Sequence, residues 1–310
     1  MTNEVKKDKY FPKVSSIKGW LGNIKTKFLV LINLIKLHSP LRFIKIKFID
    51  LLIFALFYPP TRLILGSKKG YDICNDFVGL FCPSAILPIS SLFKSKIMIP
   101  SSMSNYGPYF EILGENKYHH QPITKRMKVV DIGANIGVYT VLAAEKVGER
   151  GRVIAIEPEP KNYKLLLENI KLNKFQNVTP VNTALSDHQG WEKLYLSSSD
   201  SGGHSLIFPE DRNSYTSVQV KTLDELLEEL DIKKIDLIKI DTEGAEIPIL
   251  KGAEKTLKIN PNIKLMIAAE HYPSEIEEVR QFLNERGFKT KVFSKDVVMT
   301  IQKDEDTVNL

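Results

Sequence analysis

Residues 129–140 read VVDIGANIGVYT. Two β-branched residues run into Asp131, two glycines bracket a tight turn at 133 and 137, and an apolar run follows. Valine and isoleucine favour strands, while glycine permits a turn and close backbone approach to a ligand. Val138, Val141, Leu142 and Ala144 then recur at helical spacing. The stretch therefore predicts strand, glycine turn and helix, the opening of a nucleotide-binding α/β unit. A dinucleotide fingerprint would read G-x-G-x-x-G, and a phosphate loop G-x-x-x-x-G-K-[ST]. Here Ala134 and Asn135 stand between the glycines and no Lys-Ser/Thr follows. The turn suits a ligand with a nucleoside but no phosphate chain.

Working outward, the 310 residues are 43% apolar and 26% charged, ordinary for one α/β domain with an extension. The net charge of +6 is unevenly spread: residues 1–70 hold 14 Lys/Arg against 3 Asp/Glu, and the rest 29 against 34. A basic arm precedes a mildly acidic body, which suggests an anionic surface as the arm's partner. The runs FLVLINLIKL (28–37) and FIDLLIFALFY (48–58) are too short and too interrupted for a spanning helix. Basic residues among Phe, Ile and Leu read as helices lying in a membrane interface or packed on the body. Scarce arginine makes nucleic acid an unlikely partner. Cys74 and Cys82 match no zinc spacing and no secreted framework, and no signal peptide is read, so the expected location is the cytoplasm, peripheral on the membrane's inner face.

The chain divides into the basic helical extension at 1–70, a loop-rich connector or cap at 71–125, a catalytic domain at 126–302 and a polar tail at 303–310. Tyr106, Tyr109 and Tyr118 with His119 and His120 precede the domain and are read as surface aromatics, a lid being the other reading. Strands are predicted at 128–132, 152–157, 178–183, 235–241 and 263–270, and helices at 138–146, 161–172, 245–257 and 274–285. An added strand pair is placed at 192–196 and 217–221, a short helix at 224–230, and closing strands at 288–293 and 297–302. Such alternation means a doubly wound, Rossmann-like, mostly parallel sheet.

Glu157 ends the second strand, 26 residues after Asp131, where an acid accepts hydrogen bonds from ribose hydroxyls. After the third strand, Ala184 is small enough to admit a base, and Ser186 or Asp187 is placed to meet its amine. In IDLIKIDTEGAE (235–246), Lys239, Asp241 and Glu243 alternate and share a face if the strand persists. Charges at the end of a central parallel strand point to a site rather than a core. Glu246 reads as helix capping or loop bonding. Glu270 and His271 end the neighbouring strand at the same rim, and histidine near a carboxylate is a candidate general base. Lys239 and Glu270 also read as a buried ion pair. No tight ligand spacing supports a metal.

Together VVDIGANIGVYT, VIAIEPEPKNYKLLLENIKLN, NTALSDHQG, GGHSL and IDLIKIDTEGAEIPILKGA resemble the FkbM-type methyltransferases, of the class I S-adenosylmethionine-dependent superfamily, over about 126–290. The resemblance implies seven strands with the last antiparallel, S-adenosylmethionine as cofactor, and methyl transfer to oxygen. By position it implies Asp131, Gly133, Ala134, Asn135 and Gly137 along the methionine part, Glu157 on the ribose, and Asp241 near the reactive methyl. His204 faces the acceptor. Asp241 or His271 takes the acceptor proton, with Glu243 and Glu270 orienting the hydroxyl. The expected acceptor is a glycan, lipid-linked saccharide or natural product. A nicotinamide-dependent oxidoreductase and a membrane-attached, non-catalytic S-adenosylmethionine-binding protein stand as alternatives.

Overall fold

The computed structural model describes residues 84–89, 94–100, 109, 112–113, 117–118, 122–197, 202–208, 214–293 and 297–301. The basic extension at 1–70 and the tail at 303–310 lie outside them, as do Tyr106, His119 and His120. Among the described residues no helix is long and apolar enough to cross a membrane.

The opening motif folds as read. Strand β3 (Lys128–Ile132) runs into the glycine turn and then helix α1 (Val138–Val147). Strands β4 (Arg152–Ile156) and β5 (Val178–Val181) flank β3 on one side, with β9 (Leu237–Ile240) and β10 (Lys264–Ala268) on the other. All of these pairs are parallel. The last strand, β12 (Val297–Ile301), is inserted antiparallel between β10 and β11 (Lys289–Phe293). The seven-stranded sheet thus has the order β11-β12-β10-β9-β3-β4-β5. Its order reverses at β3, and open α/β sheets bind ligands beyond the carboxyl ends of the strands at that point.

Both faces of the sheet are covered, so the central strands read as near-continuous hydrophobics. Helix α1 packs on Val129, Val153, Leu237 and Met266, and α2 (Pro160–Leu172) beside it on Ala155. The opposite face packs Val130, Ile154, Ile238 and Leu265 against α3 (Leu223–Glu229), α4 (Glu246–Lys251), α5 (Glu254–Ile259) and α6 (Glu275–Glu285). The single helix expected over 245–257 is two. A Cβ on Gly252 would overlap the Ser186 carbonyl oxygen, and the chain breaks there. The Asp224 carboxylate then accepts from the backbone N–H of Lys255 and Thr256, capping α5.

Two smaller sheets complete the described residues. The expected added pair forms, as β7 (Gly190–Tyr195) against β8 (Tyr215–Lys221), with the short β6 (Ala184–Leu185) on the other side of β8. The connector holds a hairpin that no pattern announced, β1 (Ser84–Pro88) with β2 (Lys96–Pro100). It docks on α2 through two asparagines one turn apart. The Asn169 amide pairs with both backbone groups of Met98 and Asn173 with both of Lys96, all within 3.1 Å.

Candidate active site

The turn after β3 is closed by its own backbone. Gly133 and Ala134 N–H donate to the Ile156 carbonyl and Gly137 N–H to Ala134. Asn135 N–H donates to Glu157 Oε2 and Ile136 N–H to Asn135 Oδ1. Five consecutive amides are spent, so the turn offers no nest of free N–H groups to a phosphate. Gly133 has φ +73°, and a Cβ there would overlap the carbonyl oxygen of Asp241. That contact brings the glycine turn and the end of β9 into one site.

Asp131 and Lys239 face each other in the β3–β9 register and lie beneath the turn, almost fully buried. Lys239 Nζ is 3.1 Å from Asp131 Oδ1 and donates to the carbonyls of Gly133 at 2.8 Å and Ile132 at 3.3 Å. Thr140 donates to the other Asp131 oxygen. This corrects the reading of Lys239 with Glu270: strand order sets Asp131, not Glu270, across from Lys239. The pair fastens the turn from below.

Glu157 is buried at the end of β4, and its Oε1 accepts from Glu159 N–H at 2.9 Å. Burial pushes its pKa up to about 7, against the backbone hydrogen bonds from Glu159 and Asn135. A carboxylate offers about four lone-pair sites, so two remain for further donors. Asn182, after β5, donates its amide to the Glu157 carbonyl and holds the two loops together. Ala184 is buried in β6, opposite Val220. Asp187 is half-exposed, and its described partners are Ser186 and His188 rather than the Glu157 cluster.

At the rim, β9 ends at Ile240, and Glu243 takes φ +58°. The strand therefore does not persist, and it is the turn that sets Asp241 and Glu243. Asp241 Oδ2 accepts from the Tyr118 hydroxyl at 2.6 Å and lies 3.7 Å from Lys117 Nζ. Lys117 also donates to Glu270 at 2.9 Å. Burial favours the neutral acid, but Lys117, Lys239, His271 and the Tyr118 hydroxyl outweigh it and hold Asp241 well below the usual carboxylate range. Tyr109 and Tyr118 are buried, and Tyr118 packs edge-on against Tyr139, so neither is a surface aromatic. Lys117 carried no signal in the sequence and Tyr118 only that of an aromatic ahead of the domain, because their partners lie 153 and 123 residues away.

His271 joins the rim from the β10 side. Its Nδ1 lies 3.1 Å from Glu275 Oε2 and 3.6 Å from Glu246 Oε2, and both carboxylates are fully buried. Glu246 Oε1 accepts from the backbone and hydroxyl of Thr242, the loop bonding expected of it. Glu275, the first residue of α6, was not foreseen. Burial disfavours the imidazolium, but the hydrogen bond to Glu275 and the charges of Glu246, Glu243 and Glu275 push the His271 pKa up to about 10. Burial raises Glu246 to about 8, and its neighbour Glu275 stays ionised against His271. One ligand atom each from Asp241, Glu243 and His271 lie within 4.8 Å of one another. The lysines beside Asp241 and the protonation of His271 oppose a cation there. His204 accepts from Ser197 N–H, and the neighbouring Ser205 hydroxyl donates to the Glu243 carbonyl.

A nucleoside cofactor without phosphates fits this edge. The glycine turn gives close approach with its amides closed, Glu157 keeps acceptor sites for hydroxyls, and Asp241 carries a negative charge beside the turn. Fold and site together define an S-adenosylmethionine-dependent methyltransferase. The methyltransferase FkbM domain model matches residues 131–290, more than half of the chain, and the protein belongs to that family. Its cofactor is S-adenosylmethionine. The alternatives of a nicotinamide oxidoreductase and a non-catalytic binding protein are set aside by this membership. The chain is 26% identical over 213 residues to methyltransferase sdnD of Sordaria araneosa, covering 58% of this chain and 80% of that one. It is 27% identical over 180 residues to the hexuronic acid methyltransferase AglP of Haloferax volcanii, covering 57% and 67%. Among solved structures, methyltransferase FkbM from Methylobacillus flagellatus superposes with a TM-score of 0.43 at 20% identity, covering 59% of this chain and 46% of that one.

Proposed function

We propose that this enzyme methylates a hydroxyl oxygen of a saccharide. The observation that carries the reading is the approach of the Gly133 turn to Asp241, which sets a nucleoside pocket against a rim of carboxylates. Asp241 and Glu243 at that rim suit a hydroxyl, which donates a hydrogen bond, better than a carboxylate acceptor, which they repel. The name of the AglP relative, a hexuronic acid methyltransferase, supports a sugar. The basic, apolar extension at 1–70 supports a lipid-linked saccharide met at the inner face of the cytoplasmic membrane.

Bound S-adenosylmethionine supplies an electrophilic methyl group on a sulfonium. Gly133, Ala134, Asn135 and Gly137 would line its methionine part, Glu157 its ribose hydroxyls, and Ala184 with Asp187 the base. Asp131 acts through Lys239, holding the turn in place. The remaining work is positioning and exclusion of water. Asp241 accepts the hydroxyl proton: once oxygen has attacked carbon the proton is strongly acidic, so even a weakly basic carboxylate takes it. Glu243 orients the hydroxyl, and Glu270 holds Lys117 against Asp241. His271, protonated at neutral pH, steadies the carboxylates rather than acting as the base.

The test is label transfer from methyl-tritiated S-adenosylmethionine to a panel of saccharides, with Asp241→Asn beside the wild type. Label should appear as an O-methyl ether, and the variant should lose at least about a hundredfold in turnover while still binding S-adenosylhomocysteine. Turnover at the wild-type rate in Asp241→Asn would remove Asp241 from the chemistry.

A further inference from the structure

The small sheet buries one face and presents the other outward. Ala184, Leu194, Val218 and Val220 form the inner cluster. Outward, Trp191, Lys193 and Tyr195 on β7 stand opposite Gln219, Ser217 and Tyr215 on β8. Trp191 is 72% exposed and Tyr215 56%. Lys193 Nζ sits 4.4 Å over the Tyr215 ring, and the Tyr195 ring meets Tyr215 edge-on at 6.4 Å. Large rings standing in water on one sheet face mark a contact surface.

Three features name the occupant. The rings alternate with the amide of Gln219, the hydroxyl of Ser217 and the ammonium of Lys193, and lysine and serine are depleted from the core of protein–protein contacts. A pyranose has that complementary pattern, with an apolar C–H face to stack on a ring and hydroxyls at its edge. The face carries two cations, Lys193 and Lys221, and Lys221 is paired with Glu229, leaving too little free charge to hold a phosphate backbone or an anionic membrane. Finally, the Tyr195 end of the row is tied to the active-site rim. Tyr195 and Ser205 exchange backbone hydrogen bonds at 2.9 and 3.1 Å, and the Ser205 hydroxyl donates to the Glu243 carbonyl at 2.7 Å. From Tyr195 the row runs four residues to Trp191, roughly 13 Å, longer than one sugar ring.

We propose that the outward face of β7 and β8, from Tyr195 and Tyr215 to Trp191, binds the saccharide chain that carries the acceptor hydroxyl. This rests on the saccharide reading of the active site. Trp191 stacks on a sugar ring distant from the reacting one, and Gln219, Ser217 and Lys193 bond the hydroxyls between.

The test uses the full-length protein with S-adenosylhomocysteine present. Cellohexaose, chitohexaose and hexagalacturonate are titrated beside their monosaccharides by calorimetry, for the wild type, Trp191→Ala and Trp191→Ala/Tyr215→Ala. At least one hexasaccharide should bind about tenfold tighter than its monosaccharide, and Trp191→Ala should weaken it about fivefold or more. S-adenosylhomocysteine affinity reports that the variants are folded. The proposal is overturned if no hexasaccharide outbinds its monosaccharide or if Trp191→Ala binds as the wild type does. It is equally overturned if the substitution instead lowers binding to phosphatidylglycerol vesicles or dissociates a dimer in sedimentation. The two readings fail separately. O-methylation of monosaccharides without dependence on chain length or Trp191 sinks the platform alone. Trp191-dependent binding of hexasaccharides that are never methylated sinks the acceptor assignment and leaves a saccharide-binding face.

Discussion

Lowering the pH from 8 to 6 should weaken cofactor binding through one residue, Glu157. Its carboxyl is buried, and burial raises its pKa to about 7. Ribose hydroxyls donate to the ionised form, so binding requires the carboxylate. The ionised fraction falls from roughly 0.9 at pH 8 to roughly 0.1 at pH 6, about tenfold in affinity or ~1.4 kcal/mol. Stability of the free enzyme moves the other way. A folded-state pKa above the unfolded value near 4.5 means the folded state holds the proton more tightly. This stabilisation is present below the unfolded pKa and is lost as pH rises through the window up to about 7, by at most ~3 kcal/mol. Calorimetry with S-adenosylhomocysteine at pH 6, 7 and 8, in buffers of different ionisation enthalpy, measures both the affinity and the proton released. Glu157→Gln should bind weakly at all three values and lose the slope. A wild-type affinity flat across this range, or an equal slope in Glu157→Gln, would refute the assignment of Glu157 to the ribose.

Further outcomes follow from the same geometry. If Asp241 takes the proton, kcat stays flat from pH 7 to 9; were His271 the base, with its pKa near 10, kcat would climb about tenfold per pH unit. Lys239→Met strands the buried Asp131 charge and should cost ~3–5 kcal/mol in chemical denaturation, with Asp131→Asn/Lys239→Met recovering part of it. Asn169→Ala removes the side chain that pairs with Met98 and also donates to the Ile136 carbonyl at 2.8 Å. It should cost ~1–3 kcal/mol and speed amide exchange at Met98.

What was legible in the sequence was what local periodicity encodes. The β3 turn, the parallel strands and Glu157 at the end of β4 each rest on a few consecutive residues whose spacing admits one reading. The site's closure was not legible, because it is made by residues brought together only by strand order. Lys239 was visible as an anomalous charge in a buried strand, yet its partner depended on β3 lying beside β9. Lys117 and Tyr118 sit where no period runs, so nothing local marked Lys117 as a partner of Asp241 and Glu270 or Tyr118 as a donor to Asp241. Glu275 had the look of an ordinary acid in a first helical turn, and its burial against His271 comes from the docking of α6. The break of the helix at Gly252 arises from a loop some 66 residues earlier, after β6.

The charges along this edge divide by what holds them. Asp131 and Lys239 are buried and spent on each other and on the turn, so they set geometry. Lys117 ties Glu270 to Asp241, so Asp241 keeps a fixed position and a fixed negative charge. Glu246 and Glu275 hold His271 at Nδ1 and keep its proton in place. Neither candidate base is tuned toward proton abstraction at neutral pH: Asp241 is pushed down and His271 up. A group meant to strip an alcohol before attack would need the opposite shift. Transfer from a sulfonium does not need it, since the electrophile is already strong and the proton leaves once the new bond has formed. The electrostatics of the rim therefore agree with a catalyst that aligns its two partners and keeps water out. For such a catalyst, activity should fall when the backbone contact between Gly133 and Asp241 is disturbed as well as when the Asp241 carboxylate is removed.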